Sequence, residues 1–292
     1  MKIIKDISSL QKELKLYQER MYTIGFVPTM GSLHKGHLSL IEKSIQENNR
    51  TICSIYINPT QFNNNSDLQK YPKNHIGDLD ILQKNGCDMV FLPNDYEMYG
   101  NEMNSDNYEV GSILSLLEGE SRPGHFSGVL TIVNKLFKLI QPTIAYFGEK
   151  DFQQLWIIRH NTIRERLAIE IRSCETVRDI HGLALSSRNQ HLSVDEELAA
   201  RNIFKSLMFF KESISDYFLD EKKSILIEKY YEKIKTESLL FISQNRLIKL
   251  DYFDVIEIEN FSFVKNLTKE KSYRVLVAVY VGNTRLIDNI LI

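Results

Sequence analysis

Cysteine is scarce in this 292-residue chain: Cys53, Cys87 and Cys174 are odd in number, far apart and in no CxxC spacing. That fits reduced core thiols in a reducing compartment better than a disulfide framework or a zinc site. Long apolar runs are lacking too. Nothing approaches the ~20 apolar residues that a membrane-spanning helix needs. The opening "MKIIKDISSLQKELKLYQER" carries charges every few positions and does not read as a signal peptide, so cytoplasmic residence is the expectation. Neither sign of charge dominates. A net charge of −2 argues against nucleic acid or an anionic membrane as partner. The Walker A pattern, GxGxxG and HExxH are all absent, so P-loop, dinucleotide-fingerprint and zincin readings lose their best support.

Proline and glycine run out along the chain. All six prolines fall at or before Pro142, and twelve of thirteen glycines at or before Gly182. From Ser193 onward there is no Pro, Cys or His. The shift predicts a first domain over residues 1–178 and a smaller C-terminal lid domain over 179–292.

What is present alternates. An amphipathic helix with Ile7, Leu10, Leu14 and Tyr17 on one face precedes an apolar run at 22–27. Helical spacing in "HLSLIEKSIQ" leads to the β-rich run 51–57, and helical spacing at 75–85 leads to the run 88–93. A strong helix over 126–140, the run 143–147, a helix near 151–166 and the run 168–173 complete the series. Short apolar strands alternating with helices predict an α/β fold, a Rossmann-like doubly wound parallel sheet with helices on both faces. Two Lys/Glu-rich helices (about 195–215 and 220–243) and alternating strands predict a smaller α+β domain behind it.

Four polar clusters fall where such a sheet would place a ligand, at the carboxyl ends of strands. In "IGFVPTMGSLHKGHLSL" (24–40), Gly31 and Gly36 clear room at a helix N-terminus that attracts phosphate. His34 and His37 can donate hydrogen bonds to oxygens gaining charge at an α-phosphate. A lone histidine there would more often cap or pack; the pair His-x-Gly-His after a strand and Pro28 reverses that preference. "YINPTQFNNNSDLQKYP" (56–72) offers the amides of Asn58 and Gln61 to a small polar substrate, although its residue types also suit a plain turn. In "LEGESRPGHFSGV" (117–129) and "FGEKDFQQL" (147–155), Arg122 and His125 sit in a turn before a helix. Lys150 can neutralise phosphate, Asp151 can accept from ribose hydroxyls, and Gln154 lies on the same helix face. N-capping by Asp151 is the plainer account. "VRDIHGLALSSRN" (177–189) could be an anion clamp of hydroxyls and guanidinium, or a connecting turn with a Ser N-cap. Residue types alone therefore reach an α/β nucleotide-binding enzyme acting at an α-phosphate with a small polar co-substrate.

Taken together, "PTMGSLHKGHLSLI", "INPTQFNNNSDLQKYP", "LEGESRPGHFSGVLTIVNKLF", "FGEKDFQQL", "HGLALSSRN" and the closing "NTRLIDNILI" stand in an order and spacing that resembles the pantoate–β-alanine ligase family. That family belongs to the nucleotidyltransferases with a His-x-Gly-His (HIGH-type) turn, and the resemblance runs over essentially the whole chain. It implies an ATP-dependent ligase that forms an amide through a pantoyl adenylate, with Mg²⁺ on the triphosphate. By motif, the catalytic set would be His34, His37, Lys150 and Arg188. ATP would be held by Pro28, Thr29, Met30, Gly148, Lys150, Asp151, Val177, Leu185, Ser186, Ser187 and Arg188. Gln61 and Gln154 would bind pantoate, with Gln61 also facing β-alanine, and Arg122 and His125 would border that end. Asp78 falls on an acidic position near metal and phosphates. The resemblance also implies a homodimer through the N-terminal domain. One departure is His181, where the family usually has Asp; altered loop packing is the expectation there, not lost activity. Two other readings stay open: a nucleotidyltransferase that stops after transferring a nucleotide, and a non-enzymatic nucleotide-binding module.

Overall fold

The structure is a computed structural model that describes residues 1–106, 108, 110–219, 227–264 and 266–292, with the side chains of Asn65 and Ser66 left aside. The chain divides into two compact units, Met1–Val177 and Arg178–Ile292.

The first unit is built on six parallel strands: β1 (Lys2–Ile4), β2 (Ile24–Thr29), β3 (Arg50–Ile55), β4 (Met89–Phe91), β5 (Ile144–Gly148) and β6 (Glu170–Cys174). Their order across the sheet is β1-β4-β3-β2-β5-β6. Strands β3 and β4 are laid down on one side of β2, and the chain then returns to place β5 on the other side. The reversal between β2 and β5 is the switch point at which open α/β sheets bind ligands.

Alternation along β2 sends Phe26 and Val27 to opposite faces. Val27 joins Leu40 and Ile41 of helix Lys35–Glu47 and Leu82 of helix His75–Lys84 in one core. Phe26 meets Phe137 of helix His125–Ile140 edge-on at 6.4 Å. Burial on both faces explains why these strands read as continuous apolar runs. Strand β2 runs through Pro28 to Thr29, past the end of the apolar run at 22–27. Pairing with β5 covers only Gly25 and Phe26, whereas pairing with β3 continues to Thr29. Beyond Phe26 the β5 side of β2 is therefore open, and a residue without an N–H costs no ladder bond there. The edge strand β1 carries no sequence signal, being three residues long.

The second unit packs helices Val194–Leu219 and Ile227–Ser243 on an antiparallel sheet of order β10-β9-β7-β8, with β7 at Ile248–Glu257, β8 at Ser262–Phe263, β9 at Tyr273–Val281 and β10 at Thr284–Leu291. Its core runs from Ile203, Leu207 and Phe210 to Val255, Val275, Val277 and Val279. The expected helical start at residues 220–226 lies outside the described residues. Among the described residues, no helix is long and apolar enough to cross a membrane.

Candidate active site

The turn after β2 turns out to be made almost wholly of capping interactions. Gly31 (φ +81°) and Ser32 (φ +51°) put two successive residues in the left-handed region, a conformation that needs external support. Asp78 supplies it. Its carboxylate, 2% exposed, accepts the Ser32 N–H at 2.8 Å and the Leu33 N–H at 2.7 Å. A Cβ on Gly31 would come within 2.9 Å of that carboxylate. Thr29 Oγ1 donates to the Ser54 carbonyl and accepts the Gly31 N–H.

His34 and His37 then form a capping box on helix Lys35–Glu47. His34 Nδ1 accepts the Gly36 N–H at 3.1 Å, and His37 Nδ1 accepts the His34 N–H at 3.3 Å. A main-chain N–H can only donate, so both Nδ1 atoms are unprotonated and both neutral rings carry their proton on Nε2. The rings lie 4.1 Å apart. Burial, then the charge of Lys150, holds the His34 pKa down at about 4. Burial, then His34 and Lys150, holds His37 at about 3. Near neutral pH the turn thus offers two neutral Nε2–H donors beside a lysine. The glycine at 36 serves this arrangement directly: a Cβ there would sit 2.9 Å from the His34 ring.

Lys150 and Asp151 follow β5, the other strand at the switch point, and lie 3.7 Å apart as an ion pair. Asp151 precedes helix Phe152–Arg164 but makes no side-chain capping bond to it, so the plain N-cap account does not hold. Open space lies beside Gly148: a Cβ there would meet nothing within 4 Å. Gln154 is half-buried on the first turn of the same helix. Its neighbour Gln153, 2% exposed, accepts the Glu118 N–H and donates to the carbonyls of Ile113 and Leu116.

Gln61 is brought to the β2 turn by its own hydrogen bond, with Nε2 donating to the Met30 sulfur at 3.0 Å. Its orientation is set from behind. Asn58, 1% exposed, donates to the Gly128 carbonyl at 3.0 Å and to Gln61 Oε1 at 3.2 Å. Tyr99 OH donates to Asn58 Oδ1 at 2.6 Å. Gln61 thus has one Nε2–H still to offer, while Asn58 fixes which way its amide faces. The Asn58 amide, expected to meet a substrate, is instead spent on Gln61, Gly128, Thr60 and Tyr99, and Tyr99, 41 residues further on, carries no sequence signal of this part.

His125 lies against Gln61, where its motif suggests, but its ring is turned to the protein. It is 6% exposed; the Arg122 guanidinium donates to Nε2 at 3.1 Å, and Nδ1 donates to the Gln61 carbonyl at 2.9 Å. Both nitrogens are spent on the protein, and burial holds the pKa down at about 3. His125 steadies the Gln61 main chain and has no proton to offer a substrate.

In the second unit, Ser186 Oγ accepts the Arg188 N–H at 3.3 Å and so caps the 3-10 turn Ser187–His191. Leu185, Ser187 and Arg188 are half-buried there. Asp179 Oδ1 accepts the N–H groups of His181 and Leu183, each at 2.8 Å, while the His181 side chain is exposed. Asp179 thus closes the local turn at 181–183 through main-chain N–H groups, not through the His181 side chain.

A family model for pantoate-β-alanine ligase matches residues 2–291. The chain belongs to the pantoate-β-alanine ligase family. It is 40% identical over 291 residues to the pantothenate synthetase of Azobacteroides pseudotrichonymphae, covering 99% of each chain. With that of Thermotoga petrophila it shares 39% over 289 residues, again 99% of each. Among solved structures, pantothenate synthetase from Thermus thermophilus superposes with a TM-score of 0.88 at 33% identity, covering 99% of each chain. The Francisella tularensis pantoate-beta-alanine ligase complexed with beta-gamma ATP and beta-alanine gives a TM-score of 0.76 at 34% identity, covering 100% of this chain and 97% of that one. Membership in this ligase family accounts for a site rich in hydrogen-bond donors.

Proposed function

We propose that the chain condenses pantoate with β-alanine in two steps, converting ATP to AMP and pyrophosphate. The observation that carries the reading is the pair of Nε2–H donors, His34 and His37, at the switch point of the sheet, where the charge of Lys150 reaches both rings. In the first step a pantoate carboxylate oxygen attacks the α-phosphorus, and the bond to the β-phosphate oxygen breaks. Negative charge grows on the equatorial α-phosphate oxygens, where two fixed donors and one cation stabilise it. In the second step the β-alanine amine attacks the acyl carbon, AMP leaves with the electron pair, and the amine loses a proton. Neither step needs a protein nucleophile; both need alignment.

Gln61 Nε2 and Gln154 hold pantoate in this reading, with β-alanine against Gln61. Pro28, Thr29 and Met30 line the triphosphate, Gly148 and Asp151 take the ribose, and Val177 and Leu185 lie against adenine. Ser186, Ser187 and Arg188 grip the outer phosphates. A bound magnesium ion would supply charge neutralisation to the triphosphate. Among the described residues no three His, Cys, Asp or Glu side chains cluster to hold a metal, and Asp78 is committed to main-chain N–H groups. Among the described residues there is thus no all-protein cage, and magnesium typically keeps several waters and binds largely through substrate phosphates. Cytoplasmic residence and pairing of two copies through the N-terminal domain complete the reading. A monomer by light scattering would overturn the pairing.

The test is incubation with ATP, Mg²⁺ and pantoate, with and without β-alanine. Turnover to AMP only when β-alanine is present is the expected result. Nucleotide transfer to a phosphorylated acceptor would make the chain a nucleotidyltransferase instead, and binding without turnover a nucleotide-binding module.

A further inference from the structure

The loop that carries Ser186, Ser187 and Arg188 has little regular structure, so its position must come from elsewhere. Its anchor is Arg178. The guanidinium forks onto Asp288 in β10, at 2.6 Å to Oδ2 and 2.8 Å to Oδ1. It also donates to the Gly182 carbonyl at 2.9 Å and the Asn289 carbonyl at 3.1 Å. Its flat face lies 4.3 Å over the Phe204 ring, which fills the space a Cβ on Gly182 would need. Asp288 is 3% exposed, and its Oδ1 also accepts the Asn289 N–H at 2.7 Å.

The restraint is passed along the loop. Arg178 pairs with Ala184 in an isolated antiparallel bridge. Asn189 Nδ2 donates to the Ala184 carbonyl at 3.1 Å, and the Asn189 N–H closes on the Ser186 carbonyl at 3.0 Å. Ser187 and Arg188 are therefore enclosed between two points that trace back to Arg178. A buried ion pair is a poor device for stability alone, since well-packed apolar residues often do as well. What a bidentate fork adds is a fixed angle as well as a fixed distance.

We infer that Asp288 is a positioning residue for ATP: through Arg178 it sets where Ser186, Ser187 and Arg188 meet the outer phosphates. It touches no substrate, and it gives the closing "NTRLIDNILI" a part in nucleotide binding. The inference rests on the proposed phosphate role of Ser186, Ser187 and Arg188.

The test compares Asp288→Asn and Arg178→Lys with Ser187→Ala and Arg188→Ala, measuring KM for ATP, pantoate and β-alanine together with thermal unfolding. Asp288→Asn and Arg178→Lys should each raise KM for ATP by about 10–10²-fold, the range for a binding group displaced by an ångström. The other two KM values should stay within about twofold, because a mere loss of folded enzyme lowers the rate without separating the substrates. An unchanged KM for ATP in either folded variant, or a parallel change for all three substrates, would overturn the inference. Should Asp288→Asn fail to fold, Arg178→Lys decides alone, since it keeps the charge and loses the planar fork that meets Asp288 and the two carbonyls. If Ser187→Ala and Arg188→Ala both keep the wild-type KM for ATP, it is the phosphate reading of the loop that fails.

Discussion

Two turns in this protein are proposed to handle the same triphosphate, and a buried aspartate holds each of them by different means. Asp78 reaches the main chain itself, accepting the N–H groups of Ser32 and Leu33 within a turn that has two successive positive φ angles. Asp288 works through a side chain, gripping Arg178, which in turn holds the Gly182 and Asn289 carbonyls. The first mount leaves no rotatable bond between anchor and turn; the second passes through the whole length of an arginine. The difference matches the tasks proposed for them. Donors to a transition state must be placed within fractions of an ångström, whereas a loop gripping outer phosphates works at the end of a longer lever.

The comparison predicts that damage to the first turn appears in kcat and damage to the second in KM for ATP. The largest effect should come from His34→Ala and His37→Ala, each lowering kcat by about 10²–10³, the range for losing one oxyanion-type donor. Near-wild-type steady-state rates in both would break the assignment. Next, Asp78→Ala should orphan two N–H groups at about 1–3 kcal/mol each, read by urea unfolding. Its folded fraction should lose about 10² in kcat, as misplacement of the histidines predicts. An Asp78→Ala enzyme with normal kcat and a raised KM for ATP would erase the distinction between the two mounts.

Acid comes third. His34 and His37 keep their neutral donor forms down to about pH 4 and about pH 3. The rate should therefore show no histidine limb between about pH 7 and 5, and a limb near the ordinary histidine value of about 6.5 would refute the Nε2–H assignment. Stability behaves differently. Between about pH 3 and 6.5 the unfolded chain binds a proton that buried His125 refuses in the fold. The contribution of His125 is complete above about 6.5 and lost as pH falls toward about 3, by up to about 1.4 kcal/mol per pH unit, which acid unfolding curves would register. The smallest effect should be Asp179→Ala, which removes the acceptor for the His181 and Leu183 N–H groups at an accessible loop. Solvent replaces part of that acceptor, so a loss within about 1 kcal/mol and a few-fold rise in KM for ATP are expected. A larger effect there than at Arg178 would move the anchor of the second turn from β10 to Asp179.

Much of the fold is legible in the sequence because parallel strands covered on both faces must be apolar throughout. "TICSIYI" and "TIAYF" could hardly be anything else once helical spacing stood between them. Pro28 ends the apolar run without ending the strand, because a missing N–H matters only where a neighbouring strand asks for it, and β5 has already stopped pairing there. The His-x-Gly-His turn is legible because its parts lie within one helical turn, where spacing dictates contact. Asn58 and Tyr99 escape because their cooperation depends on where Gly128 and Gln61 arrive in space. His125 was legible as a site histidine by motif, but whether its nitrogens face substrate or protein depends on Arg122 and the Gln61 carbonyl.

By itself, then, the sequence determined the alternating α/β plan, the order of the motif blocks and the chemical inventory of the site: imidazoles, one lysine, amides and a Ser-Ser-Arg run. Those properties are local, set by side-chain chemistry and by periods of two and 3.6 residues. Only the tertiary structure decided which ring nitrogen carries each proton, what orients the Gln61 amide, and which aspartates hold the two turns. Asp78 acts 46 residues from Ser32, and Asp288 acts 110 residues from Arg178. No periodicity records a contact across such a separation; it exists only once the strands between have been put in order.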